Sequence, residues 1–225
     1  MERTITKIEQ GKRHPERFNI FLDGEFALSV HEDVLVKCRL HKGQTVHEDD
    51  WRGVLREEEE AKAKQLALKY VAYKPRTEQE IVRYLREKGF SNAIVATVIA
   101  WLTQYRYLDD RAYANAWVGE RRRTKGASRE LLRMELRQKG IAEQTIDEAL
   151  ADLSATDEAD LAREWAFKRY ARVRHLDWQT VQRRIGSFLA RKGYSYSDIA
   201  SALRELRRAH DEDGSDGEDG SDGNE

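Results

Sequence analysis

The sequence predicts a mainly α-helical chain: a tandem array of three three-helix repeats behind a small N-terminal β-hairpin region. Three observations predict it. First, the phrase Leu-x-x-Lys-Gly-apolar occurs three times, as Leu85-Arg86-Glu87-Lys88-Gly89-Phe90, Leu136-Arg137-Gln138-Lys139-Gly140-Ile141 and Leu189-Ala190-Arg191-Lys192-Gly193-Tyr194. Its glycines lie 51 and 53 residues apart, and self-similarity at such a period marks a repeat architecture. Second, the flanks repeat too. Ile81, Leu132 and Ile185 precede the three glycines at one offset; Val95, Ile146 and Ile199, then Ile99, Leu150 and Leu203, then Leu102, Leu153 and Leu206 follow them. That spacing is one apolar helical stripe. Third, no proline follows Pro75, so nothing interrupts the helices.

Residues 1–50 read differently from the rest. Ile5-Thr6-Lys7-Ile8 reads as a strand, and the runs 17–22 and 25–30 flank Asp23-Gly24, a strong hairpin signal. A sheet of two or three strands follows, too thin to be stable without helices or a partner to lean on. Val34-Leu35-Val36 with Leu40 suggests a short helix or turn. Residues 52–72 continue helically, starting with Glu57 to Glu60, and Glu58 with Lys62 and Glu60 with Lys64 read as i,i+4 pairs.

Repeat one is expected over 57–107, repeat two over 109–154 and repeat three over 156–209. The first helix of each is read from Ala63-Leu66-Ala67-Tyr70, Ala112-Tyr113-Ala116-Trp117 and Leu161-Ala162-Trp165-Ala166. Thr77 with Glu80 forms a capping box, and Ser195 with Asp198 resembles one. Asp109 or Asp110, Ser128, Asp157 and Asp177 are N-cap candidates. Each glycine phrase joins the second helix to the third: the glycine takes the left-handed position, the lysine suits the helix C-terminus, and the leucine packs on the apolar residue after the glycine. Residues 211–225, DEDGSDGEDGSDGNE, are low-complexity and expected to be disordered.

Charged residues make up 36% of the chain and apolar ones 40%, which suits thin helical cores rather than one deep core. The single cysteine, Cys38, excludes an internal disulfide and fits a cytoplasmic location; it reads as a small buried apolar residue. No apolar run reaches membrane-spanning length, and the N-terminus does not read as a signal peptide. The six histidines show no zinc spacing, and no phosphate-binding or nucleophile motif appears. Catalytic residues, metals and cofactors are therefore not expected.

Charge is the informative signal. The eight acids of 211–225 hide a basic body: residues 1–210 hold 40 basic and 33 acidic residues, a formal net charge of +7. The excess lies from residue 121 onward. Arg121, Arg122, Arg123 and Lys125 form the densest cluster; Arg129, Arg133 and Arg137 recur at four-residue intervals, with Lys139 beyond them. Repeat three adds Arg169, Arg172, Arg183, Arg184, Arg191 and Lys192. Any one of these can be a solvated residue paired with a neighbouring acid; as a set they make a stripe able to follow phosphates or an acidic protein surface. A basic face on three-helix units also fits a stand-alone DNA-binding protein, with helices starting near Ser128 or Asp177 as candidates, and the apolar grooves of an array fit a scaffold. The acidic tail is complementary to the stripe and is a candidate to compete with DNA for it.

The ordered motifs Arg76-Thr77-Glu78-x-Glu80, Leu85-x-x-Lys88-Gly89-Phe90, Tyr107-Leu108-Asp109-Asp110-x-x-Tyr113-Ala114, Arg121-x-x-x-Lys125-Gly126 and Glu135-Leu136-x-x-Lys139-Gly140-Ile141 resemble the RecX family, bacterial regulators of the RecA recombinase. The resemblance covers about 60–209. It departs at Arg106, where the family usually has glycine and where a less sharp turn is expected. It implies an elongated, curved array, without cofactor or catalysis. The array would lie along the RecA filament on DNA, mostly inhibiting its recombinase, ATPase and co-protease activities. The partners implied are the RecA filament and single- or double-stranded DNA, directly or through RecA; no membrane is implied, and a monomer is expected.

Overall fold

A computed structural model describes residues 2–12 and 14–215, and the chain divides into two compact units between Asp109 and Asp110. In the first unit, β1 (Arg3–Gln10), β2 (Arg17–Leu22), β3 (Glu25–His31) and β4 (Thr45–Val46) form an antiparallel sheet in the order β3-β2-β1-β4. Asp23 and Gly24 both take positive φ, 51° and 90°, the pair that lets a two-residue turn match the twist of its strands. The fourth strand exceeds the two or three expected. It is two residues long, and the chain brings it back against Arg3 and Thr4, a pairing without sequence periodicity to announce it.

The sheet leans on helix, as its thin core requires. Helices α1 (Glu32–Lys37) and α2 (Glu48–Tyr73) follow it; α2 starts four residues before the expected 52. Val54 from α2 joins Ile5, Ile20, Leu22 and Val30 in one buried cluster, with Trp51 and Cys38 at its margin. Cys38 is half-buried rather than buried, and that burial raises its thiol pKa. One carboxylate fastens the packing: Glu58 accepts from the Arg17 Nη2 at 2.6 Å and from the His31 backbone N–H at 2.7 Å. The second half of α2 serves a different core, where Ala63 and Ala67 pack on Ile81 and Leu85 of α3 (Glu78–Glu87) and on Val95, Val98 and Leu102 of α4 (Asn92–Gln104).

The second unit holds α5 (Asp110–Lys125), α6 (Arg129–Gln138), α7 (Glu143–Leu150), α8 (Ala155–Tyr170), α9 (Trp178–Arg191) and α10 (Tyr196–Ser215). Leu132, Leu136, Ile146 and Leu150 centre one core; Val181, Ile185, Leu189 and Leu206 centre the other. The chain is thus mainly helical, with three successive helix triplets behind a small sheet. Four local readings differ. The buried face of α5 is Ala114 and Val118 flanked by Tyr113 and Trp117, while Ala112 and Ala116 are exposed. Helix α7 stops at Leu150, so Leu153 lies beyond it. Ser154, not Asp157, caps α8, and Asp157 instead closes the capping box from the third position. Asp211 to Ser215, expected to be disordered, continue α10; residues 216–225 of that segment lie outside the described residues.

The glycine phrases form as their spacing requires. Phe90, Ile141 and Tyr194 donate their N–H to the carbonyls of Leu85, Leu136 and Leu189 at 3.2, 3.1 and 3.3 Å, and each preceding glycine donates to the carbonyl three residues back. These are Schellman caps. Two more occur without glycine: Leu40 donates to Leu35 and Tyr107 to Leu102, at 3.0 and 2.9 Å. Their left-handed residues are Arg39 (φ 50°) and Arg106 (φ 59°). The turn at Arg106 is therefore as sharp as a glycine turn, at a backbone cost of about 1–2 kcal/mol. Gly193 is constrained twice. It has φ 81°, and a Cβ there would meet the Ser128 Oγ at 2.6 Å, whereas a Cβ at Gly89 meets nothing within 4 Å. Replacing Gly89 with alanine is expected to cost about 1–2 kcal/mol from the backbone alone. Gly193→Ala is expected to cost about 1–3 kcal/mol more, because it also overpacks. Urea denaturation of the two variants measures the difference.

Candidate functional site

The basic residues singled out by the sequence fall into two classes, separated by whether the fold already uses them. Arg121, on α5, is used. Its Nε and Nη2 grip the Glu135 carboxylate on α6 at 2.9 and 2.8 Å, its guanidinium lies 4.6 Å from the centre of the Trp117 ring, and the Trp117 Nε1 donates to the same carboxylate at 2.8 Å. Bidentate arginine–carboxylate geometry is both directional and strong. The Lys139 ammonium also sits over the Trp117 ring, 5.4 Å from its centre.

Arg122 is more deeply committed. It pairs with Glu158 on α8, with side-chain exposures of 16% and 13%. The other oxygen of Glu158 accepts from the Arg129 backbone N–H at 2.8 Å, and the Arg129 Nη1 donates to the Leu153 carbonyl at 2.9 Å. These contacts tie the second helix triplet to the third. The same junction is closed by the Ser128 N–H on the Lys192 carbonyl at 3.1 Å, by the Tyr194 hydroxyl on the Gly126 carbonyl at 3.1 Å, and by the Lys192 ammonium on the Lys125 carbonyl. A Cβ at Gly126 would overlap the Trp165 indole at 2.2 Å, so this close approach demands glycine. Burial, and then the Lys125 charge, lower the Lys192 pKa below the ordinary lysine value, while its ammonium lies 4.5 and 4.9 Å from the Trp165 and Phe188 rings. Burial raises the Tyr194 hydroxyl well above its ordinary range.

Arg133 and Arg137, on α6, share Glu143. Arg137 takes it with Nε and Nη2, both at 2.8 Å; Arg133 reaches it with Nη1 and takes Asp147 with Nη2 at 2.7 Å. Arg169 packs against Phe188, 5.7 Å from the ring centre, with its Nε buried and unbonded.

The remaining cations are spent on nothing. Arg123, Lys125, Arg172, Arg183, Arg184 and Arg191 are exposed. Their charged groups have no hydrogen-bond or ion-pair partner among the described residues. Arg184 and Arg191 are seven residues apart on α9 and share a face. Arg123 and Lys125 close α5, while Arg172 lies in the turn after α8. Arg174, Arg204 and Arg208 are equally exposed. Residues 110–210 hold 21 basic and 15 acidic residues, against 19 and 18 over 1–109, so the excess of positive charge belongs to the second unit. The sequence did not separate free from engaged arginines, because their acids lie up to 36 residues away in the chain. Among the described residues no group of histidine, cysteine and carboxylate side chains could hold a metal ion, and no helix is long and apolar enough to cross a membrane.

Two outcomes follow from this geometry. Glu158→Ala leaves a mostly buried guanidinium and a backbone donor without their acceptor, and is expected to cost about 3 kcal/mol; Arg163→Ala, which breaks an exposed pair with Asp160, is expected to cost under about 0.5 kcal/mol. Chemical denaturation compares them. Arg137, then Arg133, hold the Glu143 carboxyl below its usual pKa. Its pairing therefore stabilises the fold fully above the ordinary glutamate range, and that contribution is lost as pH falls through the lowered folded value. An NMR titration of the Glu143 carboxyl is expected to show the depressed midpoint, and Arg137→Ala to move it back up.

Comparison with known proteins gives a consistent picture. A family described as the regulatory protein RecX N-terminal domain matches residues 3–47. The first, second and third three-helix domains of RecX match residues 63–102, 109–150 and 156–203. The chain is 36% identical over 208 residues to the regulatory protein RecX of Bacillus licheniformis, covering 92% of this chain and 79% of that one. It is 34% identical over 209 residues to that of Clostridium acetobutylicum, covering 91% and 97%. A crystal structure of regulatory protein RecX superposes with a TM-score of 0.73 at 33% identity, over 90% of this chain and 99% of that one. The crystal structure of RecX from Lactobacillus salivarius, at 24% identity, shares the fold with a TM-score of 0.59 over 67% and 98%.

Proposed function

The chain belongs to the RecX family of regulatory proteins, and from that premise we propose that it binds the RecA recombinase filament on DNA and restrains its recombinase, ATPase and co-protease activities. It does so by occupancy, as a cytoplasmic protein without catalysis of its own. The observation that carries this reading is the set of exposed, unpartnered cations on the second unit: Arg123, Lys125, Arg172, Arg183, Arg184 and Arg191. An arginine held by an internal carboxylate has little left to offer a partner; one standing free in solvent can neutralise a DNA phosphate or an acidic recombinase loop. Several such cations spread over repeated helices act together, because each one engaged raises the effective concentration of the next.

Within this reading Arg121, Arg122, Arg129, Arg133 and Arg137 hold the repeats in shape, and Lys139, Arg169 and Lys192 pack on aromatic rings. The free set does the binding. Replacing Arg123, Lys125, Arg183 and Arg184 together with alanine is expected to weaken inhibition of RecA's DNA-dependent ATPase severalfold. It should flatten the salt dependence by roughly one unit for each phosphate no longer neutralised, and leave the melting temperature unchanged. Arg122→Ala, in contrast, is expected to lower stability first. Undiminished ATPase inhibition by the fourfold variant would sink the assignment. Tight, steeply salt-dependent binding to naked DNA with no effect on RecA filaments would replace it with the stand-alone DNA-binding reading.

A further inference from the structure

The first unit exposes an aromatic cluster at the end of α4, in which Trp101 rests on the helix core and two tyrosines stand out from it. Tyr105 and Tyr107 follow the last turn of α4 with 59% and 55% of their surfaces exposed. Their ring centres lie 5.4 and 6.1 Å from that of the half-buried Trp101, and the Lys64 ammonium lies 5.3 Å over the Trp101 ring. The other strongly exposed rings differ: Phe26 sits edge-on to Phe21, and neither Tyr73 nor Tyr196 packs on another ring among the described residues.

Arg106 stands between the two tyrosines. It occupies the left-handed position of a Schellman cap, where glycine fits without strain, and its exposed guanidinium has no partner among the described residues. Arg39 shares that backbone but has no such rings beside it. Backbone strain clusters at functional sites, and at Arg106, unlike Arg39, it coincides with exposed rings. Tryptophan, tyrosine and arginine are also the residues that dominate the energetic centre of protein–protein interfaces, because they bury large rigid surfaces and supply directional donors.

We propose that Trp101, Tyr105, Arg106 and Tyr107 form a protein-docking hot spot on the first unit. Its partner surface offers an apolar pocket for the tyrosines and a carboxylate for Arg106. The charge distribution selects protein over nucleic acid here. Residues 1–109 are nearly neutral, with 19 basic against 18 acidic residues, whereas residues 110–210 hold 21 basic against 15 acidic, so the excess of positive charge lies in the second unit. Polyanion binding gains from such an excess through the phosphates it neutralises; a protein hot spot gains nothing from it. The proposal rests on the RecA reading for the identity of its partner and assigns to the first unit the contact with the recombinase itself.

The test compares three full-length variants with the parent for affinity to RecA filaments assembled on single-stranded DNA, and to the same DNA alone. Tyr105→Ala with Tyr107→Ala is expected to lose filament affinity by about thirtyfold, as removal of a hot spot does, with naked-DNA affinity unchanged. Arg106→Gly is expected to raise the melting temperature and yet weaken filament binding about tenfold, a split that a purely structural residue would not give. Tyr105→Phe with Tyr107→Phe, which keeps the rings, is expected to retain most of the filament affinity. Aromatic variants that bind filaments like the parent, while the fourfold variant of the second unit loses binding, would overturn this proposal alone. An equal loss on naked DNA would make the cluster a base-stacking platform and overturn it too. A parent protein that ignores RecA filaments would remove both readings.

Discussion

One interaction recurs in both compact units, and the packing of each depends on it: a mostly buried glutamate that accepts an arginine side chain with one oxygen and a backbone N–H with the other. Glu58 does this for Arg17 and His31, fastening the sheet to α2. Glu158 does it for Arg122 and Arg129, fastening the second helix triplet to the third. A three-helix unit has too little apolar surface to fix its neighbour by hydrophobic contact alone. A carboxylate taken out of water must have all its acceptor capacity filled. The result is a junction with one permitted register, because the backbone donor and the guanidinium cannot both be met from another angle.

This economy decides which cations remain for a partner. The second unit is basic, yet its most conspicuous arginine run is largely consumed internally. Arg121 and Arg122 point to Glu135 and Glu158, and only Arg123 of that triplet stays in solvent. Consecutive residues on a helix are about 100° apart, so three adjacent arginines face three directions and cannot all serve one surface. Density of charge in the sequence therefore overcounts the free arginines of α5.

The caps show how legibility works. Where the left-handed position holds glycine, at Gly89, Gly140 and Gly193, the sequence announces the cap, and the carbonyl of the leucine four residues before it takes the expected bond. Where it holds arginine, at Arg39 and Arg106, the same bonds form and nothing in the residue types announces them. Glycine is readable because its presence lowers a steric cost; arginine is silent because it bears that cost with a residue type found equally in ordinary helix. The aromatic cluster beside Arg106 was missed for a related reason: Trp101 reads as core by its helical spacing, and the exposure of Tyr105 and Tyr107 follows only from where the turn sends them.

Sequence alone determined the helical class, the three glycine caps, the Asp23-Gly24 hairpin and the apolar stripes, all of which are local: each depends on steric preference or periodicity within about fifteen residues. It also determined that the body is basic, since charge is additive and needs no fold. Tertiary structure decided the rest. It set a two-residue strand against Arg3, chose Ser154 over Asp157 as a cap, and laid the Lys192 ammonium over Trp165 and Phe188. Above all, it sorted free arginines from engaged ones. That sorting depends on carboxylates brought to hydrogen-bond distance from well outside the local helix turn, and burial in low dielectric gives those pairs their strength; no local pattern carries either quantity.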